Sequence, residues 1–155
     1  MTIRPATPED VPAVLPMVDR IGELHEKWDP SKYGFRAKPS EMYRDWLKAR
    51  AADPRSVFLV AEREENLVAF LIATTEREIP IYRLEEYGFI HDLWVEEPYR
   101  NEGIARQMTM LAIERFRAIG VKQIRLDTTA ANDPARALFA SCGFRPSTIE
   151  MLIEL

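Results

Sequence analysis

The sequence predicts a single domain of the mixed α/β class, in which helices flank a central sheet. Two kinds of segment lead to this class. Some repeat apolar residues at helical spacing, whereas others are short runs rich in β-branched and aromatic residues, which are typical of strands. They follow one another in the order βααβββαβαβ, which fits neither an all-helical nor an all-β domain. Because 155 residues suffice for one domain and are few for two, we expect one domain over residues 1–155.

The composition limits the classes of protein to consider. Hydrophobic residues make up 46% and charged residues 30% of the chain, as in soluble globular proteins. The net charge of −4, without a clustered basic face, argues against nucleic-acid binding. We find no apolar run of the roughly 20 residues that a membrane span needs, and no signal peptide, so we expect no membrane partner and a cytoplasmic location. With one cysteine and two histidines, an internal disulfide is excluded and a metal centre is not expected.

In the first third of the chain, the sequence pattern predicts a short strand followed by two helices. Residues 2–4 fit a strand, and Thr7 can cap a helix that runs to about Trp28. The apolar residues of this helix fall on one face, namely Val11, Val14, Leu15, Val18, Ile21 and Leu24. After a loop that is rich in aromatic residues, Ser40 can cap a second helix over residues 41–52.

The rest of the chain alternates strands with helices. Two β-rich runs, residues 56–62 and 67–75, are separated by a hairpin turn, and residues 89–96 are apolar on both faces, which indicates a central strand. Helices are expected over residues 103–119 and 133–141, with a strand over residues 123–129 between them. The alternating residues 148–155 predict a closing strand, whose edge offers a pairing surface for a homodimer.

The segment that follows the central strand carries the clearest functional signal. Its sequence, from Asp92 to Ala105, reads DLWVEEPYRNEGIA, which is a buried strand, a tight turn and a helix that opens at Gly103. The first N–H groups of a helix have no partner within the helix, and the helix dipole adds partial positive charge there. Gly103 lets a ligand approach the backbone closely, and Arg100 adds a positive charge. The turn is therefore expected to bind an anion such as a diphosphate.

Two motifs resemble those of the GCN5-related N-acetyltransferases (GNAT). The first is Arg-x-x-Gly-x-Ala at residues 100–105, after Asp-Leu-x-Val, which in that family cradles the pyrophosphate of acetyl-coenzyme A. The second is Asn132 followed by Ala-Arg-Ala-Leu-Phe and then Cys-Gly-Phe at residues 142–144. The resemblance implies a GNAT-type mixed sheet of about six or seven strands, splayed between the strands 89–96 and 123–129. It also implies direct transfer of the acetyl group of acetyl-CoA to a primary amine in a ternary complex.

The resemblance assigns binding roles residue by residue. The coenzyme would lie along the central strand, against the turn and near the second motif. The residues expected to bind it are Leu93, Trp94, Val95, Arg100, Asn101, Glu102, Gly103, Ile104, Ala105, Asn132, Arg136 and Phe139. The regions that line the acceptor site in the family carry Trp28, Tyr33 and Tyr82, which bind the amine acceptor or, alternatively, pack their own loops.

Two neighbouring residues are candidates for the base. An amine with a pKa near 10.4 must lose a proton before it can attack, so a positioned imidazole or carboxylate is needed. His91 and Asp92 supply these groups, but neighbours on a strand point to opposite faces unless a bulge intervenes. Each also has a structural interpretation, as a buried hydrogen-bonded histidine or as a hydrogen-bonding strut.

One residue departs from the family pattern. The family's tyrosine, which donates a proton to the leaving thiolate, is replaced by Phe139. Phenylalanine preserves the packing but has no proton to donate. The alternatives are an enzyme whose thiolate leaves with another group or water, a module that binds acyl-CoA without catalysis, and a partner-binding protein that uses no cofactor.

Overall fold

A computed structural model describes residues 1–155 as a five-stranded sheet with α-helices on both faces. The strands are β1 (Thr2–Pro5), β2 (Val57–Arg63), β3 (Asn66–Arg77), β4 (Glu86–Val95) and β5 (Ile124–Leu126). The helices are α1 (Val11–Trp28), α2 (Pro39–Ala52), α3 (Ile104–Ile119) and α4 (Asp133–Ser141). Single turns of 3₁₀-helix, Pro8–Asp10 and Glu97–Tyr99, precede α1 and follow β4. The predicted mixed α/β class is confirmed.

The strands lie in the order β1-β2-β3-β4-β5. Neighbours from β1 to β4 are antiparallel, whereas β5 is parallel to β4. A parallel pair needs a crossover connection, and α3 provides it. The first four strands thus form an antiparallel series in chain order. Strand β5 joins the sheet after the crossover through α3.

Side chains of the sheet alternate between two apolar layers. One layer lies under α3 and includes Leu71 and Phe116, and the other lies under α1 and α2 and includes Leu47 and Phe70. Seven consecutive residues of β3, 68–74, are buried because successive side chains of a strand enter opposite layers. None of the helices combines the length and the apolar character that a membrane span requires.

Strand β4 approaches α3 closely at Gly88. A Cβ atom at this position would lie 2.9 Å from two ring carbons of Phe116, so a larger residue would displace the ring or the strand. The Gly88 N–H also donates to the Gln123 carbonyl oxygen at 2.8 Å, directly before β5. Glycine therefore allows the helix and both strands to meet at one point.

Strands β4 and β5 separate after a short stretch of pairing. Residues 124–126 of β5 pair only with residues 88–90 of β4. Strand β4 continues to Val95, so its residues 91–95 have no strand partner on that side. The predicted splay between the strands 89–96 and 123–129 is confirmed.

The sheet differs from the prediction at its end. It has five strands and not the expected six or seven, and β5 is shorter than residues 123–129. Residues 148–155, expected to form the closing strand, are exposed and make no backbone hydrogen bond. An alternating pattern alone does not form a strand, because the segment must also lie beside an edge that can pair with it.

Candidate active site

The turn between β4 and α3 presents free backbone N–H groups. Asn101 and Gly103 have positive φ values of 65° and 81°, and Gly103 caps α3. None of the backbone N–H groups of residues 101–106 donates to another group of the chain. The N-terminal end of the α3 dipole adds partial positive charge at the same place. The turn therefore offers a set of unpaired donors that can bind an anion.

The side chains around the turn anchor it and keep it open. Arg100 Nε donates to the Val95 carbonyl oxygen at 2.9 Å, and its guanidinium carbon lies 4.7 Å from the centroid of the Trp94 ring. Glu102 forms an ion pair at 2.7 Å with Arg63 of β2, which keeps its carboxylate paired. Ile104, the first residue of α3, is buried in the layer between this helix and the sheet, whereas Ala105 is half-buried and small. Leu93 packs against the same layer.

A cleft of about 710 Å³ lies between α1 and the end of β4. Arg20 and Lys27 of α1 line one side, and Trp94, Glu96 and Arg100 line the other. Glu96 forms an ion pair with Arg20 and accepts a hydrogen bond from Trp94 Nε1 at 3.1 Å. The Arg20 Nε atom is buried without a hydrogen-bond partner. Glu96 thus ties α1 to the end of β4, a contact that no local sequence pattern marks.

The second motif forms the start and the body of α4. Asn132 caps the helix through its Oδ1 atom, which accepts from the Ala135 N–H at 3.2 Å. Arg136 Nη1 lies 3.4 Å from both the Ala130 carbonyl oxygen and Asp133 Oδ1. Phe139 is buried, and its ring meets that of Phe144 at 5.6 Å in an edge-to-face contact. All three residues therefore stabilise this helix and its packing.

A bulge in β4 places His91 and Asp92 on the same face of the sheet. Ile90 pairs with Ala73 and Asp92 pairs with Ile72, so His91 is the extra residue of the bulge. The His91 ring contacts Trp46 of α2 at 5.1 Å, and the charge of Asp92 acts on Tyr43 of the same helix. The two side chains would point to opposite faces in a regular strand, and the bulge is the stated exception to that expectation.

His91 is one end of a hydrogen-bonded series of three polar side chains, which continues to Thr74 and Glu76. Its Nε2 atom lies 2.7 Å from Thr74 Oγ1, and Thr74 Oγ1 lies 2.6 Å from Glu76 Oε1. Rings of Trp46 and Phe89 meet the imidazole edge to face at 5.1 and 5.0 Å. Burial lowers the pKa of His91, while Glu76 opposes this shift. The neutral imidazole is therefore the dominant form near neutral pH.

Asp92 is a carboxylate without a partner in the chain. No group donates a hydrogen bond to it. Burial raises the pKa of Asp92 to about 6, and His25 of α1 opposes this shift. A carboxylate in this state can attract a cation or accept a proton near neutral pH.

Two of the three predicted acceptor residues meet around His25. The His25 ring contacts Trp28 at 5.5 Å and Tyr33 at 4.9 Å, and its Nδ1 atom lies 2.8 Å from the Ile21 carbonyl oxygen. The Tyr33 hydroxyl accepts from Thr129 Oγ1 at 3.2 Å, which connects the loop after α1 to the segment after β5.

Tyr82 lies apart from these rings. It is 57% exposed on the loop between β3 and β4 and makes no aromatic contact. Sequence reasoning missed His25 and Thr74, because His25 acts on Asp92 of β4 and Thr74 contacts His91, and both partners are distant along the chain.

Comparisons with known proteins agree with this geometry. The model of the acetyltransferase (GNAT) family matches residues 20–144. An uncharacterized N-acetyltransferase of Bacillus subtilis (strain 168), YycN, is 31% identical over 92 residues, which cover 59% of this chain and 56% of that protein. A mycothiol acetyltransferase of Segniliparus rotundus is 23% identical over 125 residues, which cover 81% of this chain and 45% of that protein. The chain thus spans about half the length of these two relatives.

A solved structure extends the similarity to the whole chain. The F44R mutant of the BH1408 protein from Bacillus halodurans is 28% identical, with a TM-score of 0.87 and coverage of 100% of this chain and 99% of that one. The matched family region contains the open turn, the splayed strands and both base candidates. We conclude that this chain belongs to the GNAT family of acetyltransferases.

Proposed function

We propose that this chain transfers the acetyl group of acetyl-CoA directly to a primary amine within a ternary complex. The acceptor is a small molecule or an amine of a protein or peptide. The observation that carries the proposal is the set of unpaired N–H groups at residues 101–106, beside the unpaired edge of β4, in a chain of the GNAT family.

The residues at the turn fit the coenzyme. A pyrophosphate needs several donors and no competing carboxylate, and the free N–H groups of residues 101–106 meet the first requirement. Glu102, the carboxylate within residues 100–105, is paired with Arg63, which reduces its competition with the pyrophosphate. The amides of the pantetheine arm need backbone partners, which the unpaired edge at residues 91–95 can supply. Arg100 adds positive charge, and Asn132, Arg136 and Phe139 of the α4 region complete the proposed binding residues.

Bound acetyl-CoA supplies an acetyl group that its thioester activates, and the chain's own residues prepare the amine. Removing a proton from an amine with a pKa near 10.4 at neutral pH costs roughly 4–5 kcal/mol. Asp92 can attract the ammonium form, and either Asp92 or His91 can take the proton, since the bulge turns both to the α1 and α2 side.

Trp28 and Tyr33 would flank the acceptor with aromatic faces, and Tyr82 would reach it from the exposed loop between β3 and β4.

Phe139 does not prevent this chemistry. It is buried and offers no proton for the departing thiolate. A thiol has a pKa near 8.5, only about 1.5 units above neutral pH, so the thiolate can leave without a dedicated acid. The replacement nevertheless favours a second candidate function, a non-catalytic acyl-CoA-binding module. That candidate predicts binding of the coenzyme without turnover.

One assay distinguishes the two functions. We would measure acetyl-CoA-dependent release of CoA with a panel of amines and detect the acetylated product by mass spectrometry. The panel contains polyamines, aminoglycosides, amino acids and peptides with free N-termini. Product with one acceptor class supports the enzyme and identifies its substrate chemistry. Binding of CoA without product from any class favours the binding module, and absence of CoA binding contradicts both.

The oligomeric state and the location of the protein remain predictions from the sequence. Ile149, Met151 and Ile153 are each more than four-fifths exposed in the closing segment, so self-association through residues 149–155 would cover them. Light scattering coupled to size-exclusion chromatography, with and without these residues, tests the predicted homodimer.

A further inference from the structure

We propose that Thr74 and Glu76 position His91 as the proton acceptor for the amine, and that they carry its proton to solvent. The inference rests on the proposed acetyl transfer, and it assigns a function to two β3 residues outside both sequence motifs. Three side chains from two neighbouring strands form one connected chain, with 2.7 Å between His91 Nε2 and Thr74 Oγ1 and 2.6 Å between Thr74 Oγ1 and Glu76 Oε1.

The hydrogen bonds determine which nitrogen of His91 carries the proton. A hydroxyl has a single proton, and an ionised carboxylate can only accept. The Thr74 proton therefore points to Glu76, and its oxygen accepts from His91 Nε2. Nε2 must carry a hydrogen, which leaves the lone pair on Nδ1. Nδ1 has no hydrogen-bond partner and is not sealed from solvent, so it is free to accept a proton.

Packing fixes the His91 ring on the face of the sheet that also carries Asp92. Trp46 of α2 and Phe89 of β4 hold the imidazole between two edge-to-face contacts. The bulge turns His91 to the same face as Asp92. The charged groups that face His91 are Glu76 from β3 and Arg50 from α2, with Asp92 beside it on β4.

The route moves one proton from the amine to solvent and leaves His91 as the Nδ1–H tautomer, which returns to the Nε2–H form by proton exchange with solvent at the accessible Nδ1 atom. The N–H proton of the amine moves to His91 Nδ1. The Nε2 proton moves to Thr74 Oγ1, and the Thr74 proton moves to Glu76. The amine thus loses one proton and Glu76 gains one, which it releases to solvent because its side chain is 44% exposed. Asp92 keeps its charge and serves to attract the ammonium group.

The first test observes the imidazole directly and needs no activity. In long-range ¹H–¹⁵N spectra, neutral His91 of the wild type is expected as the Nε2–H tautomer. Thr74→Ser keeps this tautomer, whereas the isosteric Thr74→Val loses it. Thr75→Val is the matched control, because the Thr75 hydroxyl donates to the Arg55 carbonyl oxygen and does not touch His91. An Nδ1–H tautomer in the wild type, or an unchanged spectrum in Thr74→Val, overturns the proposal.

The second test follows the reaction with the acceptor that the amine panel identifies. Thr74→Val is expected to lower kcat between about 10- and 100-fold, with the affinity for CoA unchanged and Thr74→Ser close to wild type. Adding Thr74→Val to His91→Gln should cause no further loss, since both remove the same route. Full activity of Thr74→Val, or additive losses, contradicts the proposal.

The dependence of kcat on pH separates a role of Glu76 from general loss of structure. Loss of structure lowers kcat without shifting the pH at which it falls. Glu76 raises the pKa of His91, so Glu76→Gln is expected to shift the acid limb of kcat to lower pH. An unshifted limb contradicts the role of Glu76. If the wild type acetylates no amine, the proposed function fails, and the tautomer spectra still decide whether Thr74 positions His91.

Discussion

Burial makes the ionised form of Asp92 unfavourable in the folded chain. Its carboxylate accepts no hydrogen bond, and its pKa rises from 3.8 to about 6. A carboxyl whose pKa is higher in the folded state contributes stability that is fully present below its unfolded pKa. This contribution decreases from pH 3.8 upward and is lost as the pH passes about 6. A charge that suits an ammonium group therefore lowers stability near neutral pH.

Replacing Asp92 by Asn should relieve this penalty. The free energy of unfolding is expected to rise by up to about 3 kcal/mol at pH 8 and by much less at pH 4, because Asn has no charge to desolvate. Urea denaturation of both proteins at the two pH values measures the difference. Asp45→Asn, at an exposed α2 position without an ion pair, is the control and should show no such dependence. An equal gain at both pH values would contradict the electrostatic explanation.

For single residues, the sequence predicts type and position in an element, but not contacts with distant parts of the chain. The types and positions of both base candidates could be predicted from the strand they occupy. Their common face could not, because the bulge arises from the pairing of β4 with β3, and neither glycine nor proline marks it in residues 90–93. In the same way, no local pattern marks Thr74, whose partner His91 lies 17 residues away.

At the scale of elements, the start of α3 is the proposed binding site for the coenzyme. Gly103→Glu places a carboxylate among the free N–H groups of the turn and should weaken CoA binding at least about ten-fold. Calorimetric titration with CoA measures this change. Gly120→Glu is the matched control, since Gly120 is also left-handed, with a φ of 96°, at the other end of the same helix. Equal affinities of the two variants would show that the turn does not bind the coenzyme.

The contact between β4 and α3 yields a second prediction. Gly88→Ala should destabilise the chain by about 1–3 kcal/mol, because its Cβ would lie 2.9 Å from the Phe116 ring. Gly22→Ala is the same change inside α1, where the Cβ has an ordinary 3.5 Å contact, and it should stabilise by up to about 1 kcal/mol. Urea denaturation measures both variants. A destabilised Gly22→Ala or an unaffected Gly88→Ala would contradict this account.

Most elements could be predicted because their signals are local. The helix expected over residues 133–141 matches α4, and the one over residues 103–119 differs from α3 by one residue. Strand β4 begins at Glu86 within a stretch that has no regular pattern, because pairing with β3 extends it. The prediction of a closing strand is wrong for the converse reason. Residues 148–155 have the alternating pattern of a strand, but they pair with no strand of the sheet.

At the scale of the whole molecule, bound coenzyme should connect the two strands that have separated. At a CoA concentration of 100 Kd, the free energy of unfolding should rise by about 2.7 kcal/mol. Hydrogen exchange should slow at residues 91–95 and 101–106, whose N–H groups would gain partners, and should change little in β1 and β2. Unfolding measured with and without CoA tests the first expectation. Protection confined to other regions would show that the coenzyme binds elsewhere.

The splay itself could be predicted only through the resemblance between two motifs and a known family. Neither motif contains information on how far β5 follows β4, a pairing that ends after Ile90 and Leu126. The acceptor is not predictable from the sequence, because its proposed site combines α1, the following loop and β4, and loops of this kind vary in sequence and conformation.

The short parallel pairing of β5 also has a consequence for the order of folding. Strands β1 to β4 form an antiparallel series in which β2 and β3 are joined by a tight turn, whereas β5 must wait for α3 to cross the sheet and then gains only three residue pairs. Distant pairings form slowly, and weakly paired segments open first. Strand β5 and α4 should therefore fold last and unfold first, so that under stress the α4 part of the proposed coenzyme site is lost while the antiparallel strands β1 to β4 persist.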